Sequence, residues 1–181
     1  MSLPAFSPVE RGDRAVAPRP ETALVVLLGQ LRGLLEELPP SVYQARPAPR
    51  VSGSVGGHVR HCLDHVAALI AGSTTGELSY DHRLRGTLVE SDPAAAVLEI
   101  DRLIDGIGEI GTRPLEWTIR LRSLVDRSGL DVATESSIAR ELAYVVHHTT
   151  HHFAIIALLL DRLGCEPPAG FGLAPSTPRL H

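Results

Sequence analysis

The sequence has 181 residues, a formal net charge of −4, 44% hydrophobic residues and 4% aromatic residues. The negative charge provides no basic surface for nucleic acid, and the few aromatic residues argue against base stacking, so we expect no nucleic-acid partner. A chain of this length fits one domain that can bury its own core.

The first 19 residues contain three prolines and little periodicity, which predicts a flexible tail over residues 1–19 and a single domain over residues 20–181. The tail lacks the apolar segment of a signal peptide. The apolar run at residues 154–160 is too short to span a bilayer, so we expect no membrane association. Cys62 and Cys165 have no short spacing and are expected to stay reduced. Together these features predict a cytoplasmic protein.

Three helices are predicted before residue 111. Leucines recur every three or four residues over residues 20–38, and Pro39-Pro40 ends this first helix. A proline-rich connector follows from residue 41 to about 53. Ser54 is a good N-cap for the second helix, which is predicted over residues 54–73. Ser91-Asp92-Pro93 begins the third helix, which continues to residue 110.

The pattern then changes to a period of two. Apolar and polar residues alternate over residues 115–121, which predicts a strand, and residues 130–132 form a short return strand after the turn at Ser128-Gly129. The fourth helix is predicted from a cap at Ser136 to residue 163, ended by Gly164. The predicted fold class is all-α, a four-helix bundle with a small accessory β-hairpin between helices 3 and 4.

Seven of the nine histidines fall in two clusters, at residues 58, 61 and 65 and at residues 147, 148, 151 and 152. On a helical wheel, His148 and His152 lie about 40° apart on the apolar stripe of the fourth helix, whereas His147 and His151 lie on its flank. The spacing of four residues between His148 and His152 allows two imidazoles to reach one metal ion. Glu141 lies on the same stripe and could orient an imidazole, or pair with Arg60 or another arginine.

In the second helix, His58, His61, Cys62 and His65 share a sector of roughly 100°. Such a sector is too polar for an ordinary core unless a partner satisfies the imidazole nitrogens. A metal ion held between the second and fourth helices would do this. The alternative is a set of core histidines that bond to their neighbours. Cys62 is predicted to be a core residue rather than a ligand.

These residues resemble the DinB/YfiT-like superfamily of four-helix-bundle metalloproteins, over about residues 20–178. The similarity is carried by Ser-Val-Gly-Gly-His-Val-Arg-His at residues 54–61, Tyr-Asp-His-Arg at 80–83, Arg-Glu-Leu at 140–142, His-x-x-His-His at 148–152 and Phe-Gly-Leu-Ala-Pro-Ser-Thr at 171–177.

The resemblance implies a three-histidine metal site, with His148 and His152 from the fourth helix and His61 from the second. His58 and His65 compete with His61 for its role, and His151 and Glu141 are further neighbours of the site. Many family members have arginine immediately after the second histidine of the fourth helix, where this chain has Phe153. Substrate chemistry that depends on that arginine in family members is therefore not expected of this chain.

Three imidazoles leave coordination positions open for water or substrate, which is typical of catalytic rather than structural sites. Zinc or nickel suits such ligands, at about one ion per chain. Characterised relatives include enzymes that use low-molecular-weight thiols, so we expect a metal-dependent enzyme of thiol S-transferase type. The alternatives are a non-enzymatic metal-binding or stress-associated bundle and a metal-dependent hydrolase. The first and fourth helices are apolar around much of their circumference, and symmetric pairing of two chains would bury the apolar surface that the bundle leaves exposed. We therefore expect a homodimer.

Overall fold

A computed structural model describes residues 19–47, 53–81 and 87–177. Within them the chain is mostly helical, as predicted, and carries a small sheet. Most of the predicted N-terminal tail, part of the connector after the first helix and part of the loop after Tyr80 lie outside the described residues. The elements in chain order are α1 (Pro20–Glu37), α2 (Pro40–Gln44), α3 (Val55–Thr75), β1 (Glu77–Ser79), a 3-10 turn (Leu88–Glu90), α4 (Pro93–Ile110), β2 (Thr118–Leu124), β3 (Asp131–Ser137) and α5 (Ile138–Arg162).

The four long helices pack around one hydrophobic core. Helix α1 contacts α4 and α5, and α3 also contacts α4 and α5, so each long helix has two neighbours. The leucine stripe of α1 points inward, because Leu24, Leu28 and Leu31 are completely buried. Burial of a leucine side chain stabilises the fold by about 1.5–3 kcal/mol, which makes this stripe a main source of helix packing.

Local signals set the ends of the helices. The Ser54 hydroxyl accepts a hydrogen bond from the backbone of Gly57 and caps α3, as predicted. At its other end α3 continues to Thr75, two residues beyond the predicted end, and Gly76 closes it at a φ of 77°. Because glycine adopts positive φ without strain, it suits this position. The Asp92 side chain caps α4, and Pro93 occupies its first turn.

The predicted hairpin is present but is part of a larger sheet. Strands β2 and β3 pair antiparallel, and β1 adds to β2 in parallel, giving the order β1-β2-β3. An all-α description is therefore incomplete. The return strand is also longer than predicted, extending to Ser137. Strand β1 was not predicted, because three residues are too few to show an alternation of apolar and polar side chains. Its central residue, Leu78, is buried at 2% exposure.

Two further predictions need correction. The proline-rich connector contains the short helix α2, which buries Tyr43. The cap of the last helix is Ser137, whose hydroxyl accepts from the backbone of Arg140, rather than Ser136. Ser136 remains in β3 and donates its hydroxyl to Glu141 instead. Among the described residues, no helix combines the length and apolar character needed to cross a membrane.

Candidate metal centre

The candidate site lies between α3 and α5, which pack against each other. On α3, the spacings of three and four residues place His58, His61 and His65 on one helix face. On α5, His148 and His152 lie one turn apart and face them. His147 and His151 are exposed, as their flank positions predicted. The structure thus brings five of the seven clustered histidines together.

Two pairs of ring nitrogens meet across the helix interface. The Nε2 atoms of His61 and His148 are 2.9 Å apart, and the Nδ1 atoms of His58 and His152 are 3.0 Å apart. Two imidazole nitrogens bound 2.0–2.1 Å from one tetrahedral zinc ion lie roughly 3.3–3.4 Å apart. Each pair therefore needs only a small separation to share an ion. Without metal, one nitrogen of each pair donates a hydrogen bond to the other.

His65 is held in the tautomer that suits a ligand. Its Nδ1 lies 3.0 Å from the backbone oxygen of His61, and because a carbonyl oxygen only accepts, Nδ1 is the donor. This arrangement makes Nε2 the nitrogen with the lone pair. The side chain is buried, and its ring stacks on that of His148 with centroids 4.1 Å apart. Ring nitrogens of His61, His65 and His148 all lie within 4.8 Å of one another, close enough to hold a metal ion.

His152 lies beside this group, although its Nδ1 atom contacts Nδ1 of His58. Its ring centroid is 4.5 Å from that of His61 and 4.6 Å from that of His148. Burial, followed by the charge of the neighbouring histidines, lowers the pKa of His152 to about 3. The ring is therefore neutral at neutral pH, the form in which histidine binds metal. The predicted set of His61, His148 and His152 stays a prediction, and His65 is a second candidate for the third ligand.

A polar layer closes one end of the histidine cluster. Glu141 is completely buried, as its place on the apolar stripe predicted. Its carboxylate accepts hydrogen bonds from Tyr80, Ser136 and Arg140 at 2.9, 2.5 and 2.7 Å. Pairing with an arginine, here Arg140, was one of the two roles predicted for Glu141. The described hydrogen bonds of Glu141 include none to an imidazole.

Arg60, the other arginine considered for Glu141, lies elsewhere. Its guanidinium bonds to Glu90 and lies 3.7 Å from the carboxylate of Asp64. Cys62 is completely buried in the core, and burial raises the pKa of its thiol well above the usual range. Since a metal ligand must be a thiolate, this burial agrees with the predicted core role of Cys62.

Sequence reasoning missed the aromatic lining of the site. The ring of Tyr80 stacks on that of His65 at 4.9 Å, and the ring of Tyr144 stacks on that of His148 at 5.6 Å. Tyr144 stands four residues before His148 on α5, so its position on the stripe was available in the sequence. Tyr80 follows β1, and its contact with His65 depends on how that segment folds back. Burial and the nearby Glu141 carboxylate raise the pKa of Tyr80, which keeps its hydroxyl protonated.

The cluster is open to solvent at one end. His65 is buried, whereas the other four rings are partly exposed. A separate groove of about 640 Å³ between α3 and the sheet is lined by other residues, among them Gly72, Leu78 and Arg122. The histidine cluster therefore lies on the α3–α5 interface, with a buried end at His65 and partly exposed histidines beyond it.

Comparison with known proteins finds a partial match. The chain is similar to a protein named FK506-binding protein 5 from the fungus Rhizopus delemar, with 37% identity over 101 residues. The match covers 55% of this chain and 26% of that protein, so the chain spans about a quarter of the length of this relative. No family model matches the chain.

Proposed function

We propose that the protein binds a divalent metal ion between α3 and α5 and is a four-helix-bundle metalloprotein of the DinB/YfiT-like type. The observation that carries the proposal is the approach of His61 Nε2 to His148 Nε2 at 2.9 Å, with His65 beside them. Zinc and nickel both suit imidazole ligands. His65 or His152 supplies the third nitrogen.

The chain's own residues prepare this site. The backbone of α3 holds the proton of His65 on Nδ1, while the stacked ring of Tyr80 and the buried Glu141 carboxylate fix the protected end. Preorganised ligands of this kind increase metal affinity because less conformational freedom is lost on binding. At the other end, the partial exposure of His61, His148 and His152 gives a small molecule access to the same face.

We further propose that the protein is a cytoplasmic, metal-dependent enzyme of thiol S-transferase type. A bound divalent ion lowers the pKa of a thiol that coordinates it, which supplies a sulfur nucleophile at neutral pH. In the transfer, the thiol would lose its proton and its sulfur would form a bond to an electrophilic carbon, while the bond from that carbon to its leaving group breaks and the leaving group departs with the electron pair. The support is the set of open imidazole ligands together with the sequence resemblance. About three quarters of the fungal relative lies outside the match, so the FK506 binding in its name is not carried over.

The test is a metal titration of protein purified without a histidine tag. We expect His61→Ala and His148→Ala to weaken the tightest binding more than 100-fold, since loss of a residue that merely supports a ligand costs about 10–100-fold. His147→Ala is the matched control, because His147 is exposed on the same helix. If His61→Ala and His148→Ala bind metal as tightly as His147→Ala, the proposed site is wrong.

Activity is tested on the same set of proteins. The metal-loaded protein should accelerate conjugation of a cellular thiol to an electrophile from a broad panel, and His148→Ala should lose that acceleration while His147→Ala keeps it. Metal binding without thiol binding or turnover would favour the non-enzymatic alternative, in which the ion only stabilises the fold.

A further inference from the structure

We propose that Arg140 recognises a carboxylate on a substrate whose thiol binds the metal ion. The inference rests on the proposed function, and it narrows the substrate to a thiol that carries a carboxylate several bonds from its sulfur. Arg140 is then a specificity-determining residue, which contacts the substrate and takes no part in holding the ion.

The first argument is the order of side chains along one face of α5. Arg140, Tyr144, His148 and His152 follow one another at intervals of four residues, which places them in one row along the helix. Arg140 is exposed, and the other three residues are partly exposed. A molecule bound to an ion at His148 can therefore extend along Tyr144 to Arg140.

The second argument is the set of contacts within this row. The ring of Tyr144 stacks on that of His148, with centroids 5.6 Å apart and an angle of 25° between the planes. The guanidinium carbon of Arg140 lies 5.3 Å from the centroid of the Tyr144 ring. A single tyrosine ring thus separates the guanidinium from a candidate metal ligand. That ring offers an apolar surface to the part of the substrate that joins the sulfur to the carboxylate.

The third argument is that Arg140 is held in place by only part of its guanidinium. Its Nη1 donates a hydrogen bond at 2.7 Å to Glu141, which is completely buried. A guanidinium has five N–H donors, so one hydrogen bond leaves another edge that can bind both oxygens of a carboxylate. A side chain that is fixed in advance loses less conformational freedom on binding, which increases the affinity for the ligand.

The competing explanation is that Arg140 only neutralises the buried charge of Glu141. However, Glu141 also accepts hydrogen bonds from Tyr80 and Ser136, so its carboxylate does not depend on Arg140 alone. At 58% exposure the side chain of Arg140 gains little from an ion pair, because water screens the attraction. Glu135, which lines a shallow groove with Arg140, is exposed, so water and salt also screen its repulsion of an anion.

The experiment measures thiol binding to tag-free protein loaded with Co²⁺, whose visible absorption reports a sulfur ligand. The probes are mercaptohexanoate, its neutral counterpart mercaptohexanol, and mercaptoacetate, which is too short to reach past the tyrosine ring. At neutral pH we expect mercaptohexanoate to bind about ten-fold more tightly than mercaptohexanol, which is the effect of one charge-assisted hydrogen bond at a site open to water. Binding of mercaptoacetate should not depend on Arg140.

Three variants assign the preference to one side chain. Arg140→Gln should remove the preference for mercaptohexanoate and leave the affinities for mercaptohexanol and for Co²⁺ unchanged. Arg140→Lys should keep part of the preference, because it keeps the charge but loses the two parallel donors of a guanidinium. Arg162→Gln is the matched control and should keep the whole preference, since Arg162 is exposed at the other end of the same helix. Thermal unfolding checks that each variant is folded, and Arg140→Lys carries the comparison if Arg140→Gln is not.

Three results would overturn the inference and leave the metal site standing. They are equal binding of mercaptohexanoate and mercaptohexanol by the unsubstituted protein, a full preference that survives both Arg140→Gln and Arg140→Lys, and equal weakening of both thiols by Arg140→Gln. The last result would show that Arg140 acts on the site only through Glu141. Binding of Co²⁺ without any thiol would overturn the thiol chemistry together with this inference. Failure to bind Co²⁺ would overturn the metal site of the proposed function as well.

Discussion

Replacement of Gly56 by alanine should destabilise the protein, whereas the same replacement at Gly57 should not. A Cβ atom at position 56 would overlap the backbone oxygen of Glu90 and lie 2.7 Å from Cε1 of Tyr43. The 3-10 turn at Leu88–Glu90 would then have to move away from α3. At Gly57 the nearest atom would be the Ser54 hydroxyl oxygen at 3.5 Å, which is an ordinary contact.

The magnitude follows from three contributions. Overpacking of a close contact costs about 1–3 kcal/mol. Movement of the turn also weakens the hydrogen bond that the Tyr43 hydroxyl donates to the Val89 oxygen at 2.6 Å, at a cost of about 0.5–1.5 kcal/mol. Replacing glycine by alanine in a helix raises the free energy of unfolding by about 1 kcal/mol at either position, because alanine has the higher helix propensity. We therefore expect Gly56→Ala to lower the free energy of unfolding by about 1–3 kcal/mol, and Gly57→Ala to leave it equal or raise it by up to about 1 kcal/mol.

Urea unfolding followed by far-ultraviolet circular dichroism measures both values. Because the two glycines are adjacent in the same helical turn, differences in helix propensity cancel between the variants. Equal unfolding midpoints for Gly56→Ala and Gly57→Ala would refute the close docking of the 3-10 turn on the start of α3.

Three further predictions concern the buried carboxylate, the thiols and the oligomeric state. Glu141→Ala should lower the free energy of unfolding by about 1–3 kcal/mol in urea unfolding, because it removes the acceptor of the half-buried Tyr80 hydroxyl; an unchanged midpoint would contradict this role. In the native protein a disulfide reagent should modify Cys165 but not Cys62, because burial shields the Cys62 thiol and raises its pKa. Both cysteines should react in denaturant, and equal reaction rates of the two in the native protein would refute the buried position of Cys62. Sedimentation should give twice the chain mass of 19.4 kDa, since α1 and α5 carry exposed apolar side chains, and a monomer at high concentration would exclude the homodimer.

The helices could be predicted because their signals are local. Leucine periodicity, the Ser54 cap and the Asp92-Pro93 start act within one or two turns, and they predicted three of the four long helices with ends close to those observed. Strand β1 could not be predicted, because three residues acquire strand conformation only by pairing with β2, some 40 residues later. Helix α2 was not predicted either, because a segment of five residues is too short to show the 3.6-residue period of a helix.

The candidate site was predictable in part for the same reason. Helical spacing alone placed His148 inward and His147 outward, as the structure has them. The pairing of His58 with His152 depends on the rotation of α3 against α5 and on ring orientation, which no local pattern encodes. The hydrogen bond between Tyr80 and Glu141 could not be predicted either, because the two residues stand 61 apart in the sequence.

The central claim is that His61 and His148 hold a divalent metal ion, and anomalous diffraction from crystals of the tag-free protein grown with Zn²⁺ tests it most directly. We expect an anomalous peak about 2.0–2.1 Å from Nε2 of both residues, with a third imidazole nitrogen from His65 or His152 at the same distance. Crystals of the His148→Ala variant grown in the same way should lack this peak. If the rings of His61 and His148 remain hydrogen-bonded to each other with no anomalous density between them, the metal site is contradicted.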